Sequence, residues 1–377
     1  MKVERRVARE VPVGGLVLGG EQPIRVQSMT TTSSRDVVAT VAQSRTLIEA
    51  DCELVRVTCP DRQSAAVFGD IVEGIRAAAT ELGKGPIPVV ADIHFNHRLA
   101  LAAVEAGVDK VRLNPGNIGG LDKVGEVVRA AANAGCAMRI GVNSGSVEAD
   151  LLEKHGSPTP EALCESALRH LETVEGLGFR DVVGSIKSTD TLAAVTANRM
   201  FAAQTDVPLH LGITEAGETG YGSIKSAAGL GSLLLDGIGD TIRVSLTAPP
   251  EDEIPVAYDI LKACGCRVRE PELIACPTCG RIEIDLEELL AEVKERLGEE
   301  TLPIKISVLG CAVNGPGEAL EADIGIAGTK RAGIVYRGGK EVARVAEGEL
   351  VDALMKEIET FRAERLAEEA VAAEGAG

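Results

Sequence analysis

The chain has 377 residues, enough for more than one hydrophobic core, and a formal net charge of −18 that disfavours nucleic acid or an anionic membrane as principal partner. Aromatic residues make up only 2% and Trp is absent, so the core must be aliphatic side chains packed closely with Ala and Gly. No run of about 18 apolar residues occurs, residues 1–20 lack an uninterrupted apolar stretch, and nine unevenly spread cysteines do not look like a secreted disulfide framework. The expectation is a cytoplasmic protein with reduced thiols and no membrane or nucleic-acid partner.

In chain order, short β-branched runs alternate with helical stretches. Strands are expected at Ile24-Met29, Leu54-Cys59, Val89-Phe95, Val108-Asn114, Met138-Asn143, Val182-Ser188, Leu209-Glu215 and Thr241-Leu246. Amphipathic segments such as Val37-Ala50, Ser64-Leu82, Asp122-Ala134 and Pro160-Leu177 separate them. Eight βα units in residues 1–250 have the rhythm of a (β/α)8 TIM barrel, with a doubly wound sheet as the structural alternative. After Pro249-Pro250 the pattern changes: a linker helix within residues 251–264, then a smaller α+β domain over residues 265–365. That domain ends in a hairpin turning at Gly338-Gly339 and a helix from Glu347 to about Leu366. The Ala/Glu-rich residues 366–377 are expected to be disordered.

In a TIM barrel, chemistry gathers at the C-terminal ends of the strands. Those positions carry Arg56, Asp92 and His94, Arg112 with Asn114, Arg139 with Asn143, Lys187, His210 with Glu215, and Arg243 with Ser245. Five cations converging in an acidic protein suit a small substrate bearing more than one phosphate group, because Arg grips phosphate oxygens bidentately. For any one of them a salt bridge to a neighbouring carboxylate is an equal reading. Asn117 lies in the glycine-rich stretch Asn114-Gly120, whose free N–H groups could hold an anion. Glu215, among cations at a strand end, is placed to exchange a proton with substrate.

Cys276, Cys279, Cys311 and Glu318 lie in two Gly/Pro-rich phrases, Ala275-Cys276-Pro277-Thr278-Cys279-Gly280-Arg281 and Gly310-Cys311-Ala312-Val313-Asn314-Gly315-Pro316-Gly317-Glu318. Iron–sulfur clusters usually have four thiolates. Three thiolates and a carboxylate therefore suggest one iron with a replaceable oxygen ligand that lets substrate reach it. The competing reading is structural zinc on Cys264, Cys266, Cys276 and Cys279, which would leave Cys311 without a role. Two other function classes remain open on the residues alone: a Schiff-base aldolase using Lys187, and a non-catalytic electron carrier.

Several phrases resemble one family over almost the whole chain: Val26-Gln27-Ser28-Met29-Thr30, Ala91-Asp92-Ile93-His94-Phe95, Val111-Arg112-Leu113-Asn114-Pro115-Gly116-Asn117-Ile118, Arg139-Ile140-Gly141-Val142-Asn143, Gly212-Ile213-Thr214-Glu215-Ala216-Gly217, Thr241-Ile242-Arg243-Val244-Ser245-Leu246 and both cysteine phrases. The family is bacterial 4-hydroxy-3-methylbut-2-en-1-yl diphosphate synthase. The resemblance implies reductive ring opening and dehydroxylation of 2-C-methyl-D-erythritol 2,4-cyclodiphosphate in isoprenoid biosynthesis. It implies a 4Fe-4S cluster on Cys276, Cys279, Cys311 and Glu318, with electrons from flavodoxin or ferredoxin. Its diphosphate-binding cations fall on Arg56, Arg112, Arg139, Lys187 and Arg243, with Asn143 and Ser245 as partners, and its acid on Glu215. It also implies a homodimer in which the cluster domain of one subunit closes over the barrel of the other.

Overall fold

The computed structural model describes residues 3–298, 300–311, 313, 317, 320–330 and 332–375, with side-chain surroundings through residue 368. The chain divides into two compact units, Met1–Arg267 and Val268–Gly377.

The first unit begins with a small antiparallel hairpin, β1 (Val11–Val13) and β2 (Leu16–Leu18). Eight strands follow: β3 (Arg25–Met29), β4 (Leu54–Thr58), β5 (Val89–Asp92), β6 (Lys110–Leu113), β7 (Ala137–Asn143), β8 (Val182–Lys187), β9 (His210–Leu211) and β10 (Thr241–Ile242). They pair in the order β8-β7-β6-β5-β4-β3-β10-β9, every pairing parallel. A parallel bridge between Gly184 and Leu209 joins the two ends, so the sheet closes on itself as a TIM barrel.

Helices such as Val37–Glu49, Phe68–Glu81, Leu121–Ala134 and Pro160–Glu175 wrap the barrel. Their starts are chemically marked: Asp36, Asp61, Asn96, Thr159 and Asp190 each accept a backbone N–H at a helix N-terminus. The outward strand positions Val55, Val57, Ala91, Val111, Met138 and Val182 pack beneath these helices in one aliphatic core.

Inside the barrel only the lower end is apolar. Leu54, Val90, Ala137 and Val183 pack there against Val11, Val13 and Leu18 of the hairpin. The hairpin seals the bottom, and above it the interior is polar, leaving the barrel's upper end to the site.

The helix Glu253–Ala263, expected as a linker, packs against β3 and the helix Thr219–Leu235 and belongs to the first unit, which runs to Arg267. Its burial explains the difference. Ile254, Ala257, Ile260 and Leu261 join the barrel's outer core, and Arg267 is fixed by Glu53 at 2.6 and 3.0 Å.

The second unit holds a five-stranded sheet, β11 (Glu272–Ala275), β12 (Lys305–Leu309), β13 (Ile324–Thr329), β14 (Ala332–Arg337) and β15 (Lys340–Val345), in that order. The first three are parallel and the last two antiparallel. Gly338 and Gly339 turn the β14–β15 hairpin with φ of +52° and +74°, the left-handed pair that a type I′ turn requires. The helices Leu286–Leu297 and Leu350–Gly375 cover the sheet through Leu289, Val293, Leu350, Leu354 and Ile358. The last helix extends to Gly375, through the segment expected to be disordered. Ala and Glu are strong helix formers and here continue an already nucleated helix.

Candidate active site

The strand ends converge on a cavity of about 530 Å³ lined by Arg56, Arg112, Arg139, Lys187 and Arg243, with Asp92, His94, Asn143, Ser185, Ser245 and the threonines 30, 31, 32, 58 and 214. Register explains the convergence. Asp92, Arg112 and Arg139 are lateral neighbours on β5, β6 and β7, and Asn143 lies opposite Lys187 on β8. Side chains alternate along a strand, so these positions share the inner face.

Two glycines make room for the long cations. A Cβ on Gly141 would stand 2.7 Å from Arg112 Nε, and one on Gly212 would stand 2.7 Å from Lys187 Nζ. A side chain at either position would push the cation aside.

Within the cavity, Arg112 Nη1 donates to Asp92 Oδ1 at 3.1 Å, Arg56 Nε stands 3.9 Å from Asp92 Oδ2, and His94 Nε2 stands 3.5 Å from Asp92 Oδ2. Burial alone would raise the Asp92 carboxyl; the charge of Arg56, the contact with His94 and the charge of Arg112 outweigh it and hold it below the usual range. Arg243 is gripped at 3.2 Å by each carboxylate oxygen of Glu253, which also accepts from Ser28 Oγ and the Leu246 N–H. Asp92 and Glu253 cannot neutralise five cations. Burial lowers Arg56 to about 10 and pushes Lys187 well below its ordinary value, with neighbouring Arg charges adding to the effect on Lys187. The protein's own groups leave this mouth short of anions.

Other expected residues take different places. His210 is fully buried, bonded through Nδ1 to Thr241 Oγ1 at 2.8 Å, and lies outside both cavity linings described here. It sits in a buried layer below the cations of the cavity, because β9 is only two residues long and His210 is its first. Asn114 lines an adjoining cavity of about 540 Å³ with Asn117, Ser146 and Glu148, which shares His94, Arg112 and Asn143 with the first. Asn114 Oδ1 accepts from the Gly116 N–H at 3.0 Å, so it shapes the glycine-rich loop. Glu215 is exposed beside lining residue Thr214, with φ of +48°, a left-handed conformation unusual for a non-glycine residue and typical of functional turns.

Sequence reasoning missed Glu253, the anchor of Arg243, and Lys110, fully buried inside the barrel. Glu253 lies in a helix that the sequence marks only as a connector. Lys110 was readable as inward-facing, because it precedes Arg112 by two residues on the same strand.

In the second unit, Cys276 follows the end of β11 and Cys311 nearly follows the end of its parallel neighbour β12, with Ala275 paired to Val308. Cys276 Sγ accepts the Gly310 N–H at 3.2 Å, so these two thiols are brought to the same end of the sheet. Cys279 is exposed, and hydrogen bonds from the Arg281 backbone and side chain lower its thiol. Thiols at adjacent strand ends, one supported by a backbone N–H and one eased toward thiolate, fit the donor set of an iron–sulfur cluster. Glu318 lies outside the described residues, and among the described residues no group of three or more His, Cys, Asp or Glu is gathered tightly enough for a metal ion.

The upstream pair of the zinc alternative lies in the first unit. Cys264 is buried against Gly231 in the barrel's outer core, and Cys266 packs on that core in the first unit. Cys52, Cys136 and Cys164 are buried, and burial pushes their thiols up to about 12, 12 and 11.

A closed (β/α)8 barrel with a cation-lined mouth, joined to a cysteine-bearing α+β unit, defines a barrel enzyme of phosphorylated small molecules. The chain belongs to the GcpE family: the GcpE TIM-barrel domain matches residues 8–258 and the GcpE protein C-terminal domain matches residues 272–360. It is 47% identical over 359 residues to a protein of Persephonella marina, covering 95% of this chain and 99% of that one. It is 50% identical over 367 residues to one of Geobacillus thermodenitrificans, covering 97% and 96% respectively. Both relatives carry the name 4-hydroxy-3-methylbut-2-en-1-yl diphosphate synthase (flavodoxin).

Proposed function

We propose that the chain converts 2-C-methyl-D-erythritol 2,4-cyclodiphosphate to 4-hydroxy-3-methylbut-2-enyl diphosphate, taking electrons from flavodoxin. The observation that carries this is the cluster of five cations at the mouth of a barrel whose family members at about half identity bear that name. The substrate carries two negative charges, which go toward the positive charge that Asp92 and Glu253 leave unmet. Overall the reaction consumes two electrons and two protons, breaks the ring C–O bond and releases one water.

Arg56, Arg112, Arg139, Lys187 and Arg243 hold the two phosphates, and Asn143 and Ser245 orient them by hydrogen bonds. Fixed cations also lower the basicity of the diphosphate oxygen as it leaves carbon. Glu215 gives a proton to the departing hydroxyl oxygen, which leaves as water. Cys276, Cys279 and Cys311, with Glu318 as the exchangeable fourth ligand, would hold the 4Fe-4S cluster, which supplies the two electrons when bound.

The enzyme acts in the cytoplasm as a homodimer; no helix of the described residues is long and apolar enough to cross a membrane. The test is anaerobic purification with iron and sulfide analysis, then assay on the cyclic diphosphate with reduced flavodoxin and with a chemical reductant. Material with zinc and no acid-labile sulfide, or with a cluster but no turnover, would overturn the assignment.

A further inference from the structure

Beneath the cavity floor the barrel interior holds a second polar layer. Lys110 is fully buried on β6, two residues below Arg112 on the same inner face, and its Nζ has no hydrogen-bond partner among the described residues. Around it, Arg139 Nε and Nη1, His210 Nε2 and both amide atoms of Gln27 are also buried and unpartnered. A buried ammonium without a partner is strongly disfavoured and escapes the cost by giving up its proton.

The groups facing Lys110 from each neighbouring element reinforce this. Across β7 stand Arg139 and the neutral thiol of Cys136; across β5 and β4, Asp92 and Arg56; farther round, Lys187 and His210 on β8 and β9, and Arg243 with its partner Glu253. Asp109 precedes β6 but is engaged outside the barrel by Arg76 and the Val89 N–H. Below lies the apolar seal of Val90, Ala137 and the hairpin. Taken together, the cations around Lys110 outnumber Asp92 and Glu253, the two carboxylates placed inside the barrel above.

We propose that Lys110 is a proton-accepting positioning residue under the diphosphate grip: uncharged at mildly alkaline pH while the cavity is empty and charged once the cyclic diphosphate is bound, so that substrate binding takes up a proton. This rests on the substrate assigned above. The sign is fixed by electrostatics. Burial, and then the charge of Arg139, lower Lys110 from its ordinary value to about 7. A bound dianion offsets Arg139 and its neighbours, raises Lys110 and returns its charge. Between the empty-state and bound-state values, affinity must fall as pH rises, by at most about tenfold per unit for one proton. The layer thereby keeps the ligand-free barrel from carrying a further buried charge while offering that charge to the ligand.

The test uses oxidised holoenzyme without reductant, so that the cyclic diphosphate binds without turning over. Each phosphorus of that ligand carries a single strongly acidic oxygen, so the ligand itself does not titrate near neutrality. Titration calorimetry at pH 8 in two buffers of different ionisation heat counts the protons. Wild type should take up between one and two, Lys187 accounting for any beyond the first, and Lys110→Met about one fewer, with a flatter dependence of Kd on pH from 7 to 9. Met fills the same space without an ammonium, so the variant should fold; the wild-type measurement also stands without it. Zero uptake by wild type, or equal uptake by both proteins, would overturn the inference. Failure of wild type to bind the ligand would remove the substrate assignment, and this inference with it.

Discussion

Asp92 and Glu253 divide the cations of the mouth between them, and they do so differently. Asp92 lies among Arg56, Arg112 and His94 at 3.1 to 3.9 Å, whereas Glu253 holds Arg243 alone with two matched contacts of 3.2 Å. Glu253 is nearly buried, so Glu253→Gln strips Arg243 of a buried partner, a loss of about 3 kcal/mol or more. The urea midpoint should fall accordingly, and the cyclic diphosphate should stabilise the variant more than wild type by replacing the lost anion; a smaller ligand-induced shift would refute that account. Gly141 makes a complementary case. Gly141→Ala places a methyl 2.7 Å from Arg112 Nε and forces the guanidinium off Asp92. A displaced Arg112 should lose one charge-assisted contact to the ligand, about 1.5 kcal/mol, and weaken binding roughly tenfold, while the melting temperature changes less, because the clash is with a flexible side chain that can shift. Calorimetry and a thermal melt on the same sample separate the two effects. The five cations were readable in the sequence because register repeats them at strand ends. Glu253 and Lys110 were not singled out, because their importance arises only when distant elements close around them.

At the scale of elements, the barrel was legible where strands are long enough for β-branched runs to stand out, as in Leu54–Thr58 and Val182–Lys187. It was least legible at β9 and β10, two residues each, where the strand expected from Leu209 to Glu215 ends at Leu211, before Gly212. The β1–β2 hairpin escaped notice altogether. Its three-residue strands are too short for periodicity, yet Val11, Val13 and Leu18 close the barrel bottom against Leu54, Val90, Ala137 and Val183. That role gives a direct expectation. Leu18 is 1% exposed, and Leu18→Ala leaves a cavity that the short hairpin cannot fill by shifting, costing about 2 to 5 kcal/mol. Chemical denaturation should show this loss with an unchanged slope. A change below 1 kcal/mol would mean that the hairpin is an ornament on a barrel that seals itself.

Over the whole molecule the two units keep separate hydrophobic cores: one runs from Ile24 to Cys264 around the barrel, the other from Ile284 to Ile358 around the five-stranded sheet. Among the described residues, no buried residue belongs to both. Cooperativity follows shared burial, so the units should respond separately to changes in their own interiors. Val335, on β14 between Ile326 of β13 and Ala343 of β15, is fully buried in the second core. Val335→Ala should lower the unfolding transition of the cysteine-bearing unit by about 1 to 3 kcal/mol. The cyclic diphosphate should still raise the barrel's transition by the same amount as in wild type. Differential scanning calorimetry with and without the ligand reads both quantities in one experiment. If a single transition moved as one, with ligand stabilising the mutated unit too, the division into independent cores would be wrong, and substrate at the barrel mouth would be holding both units in one cooperative fold.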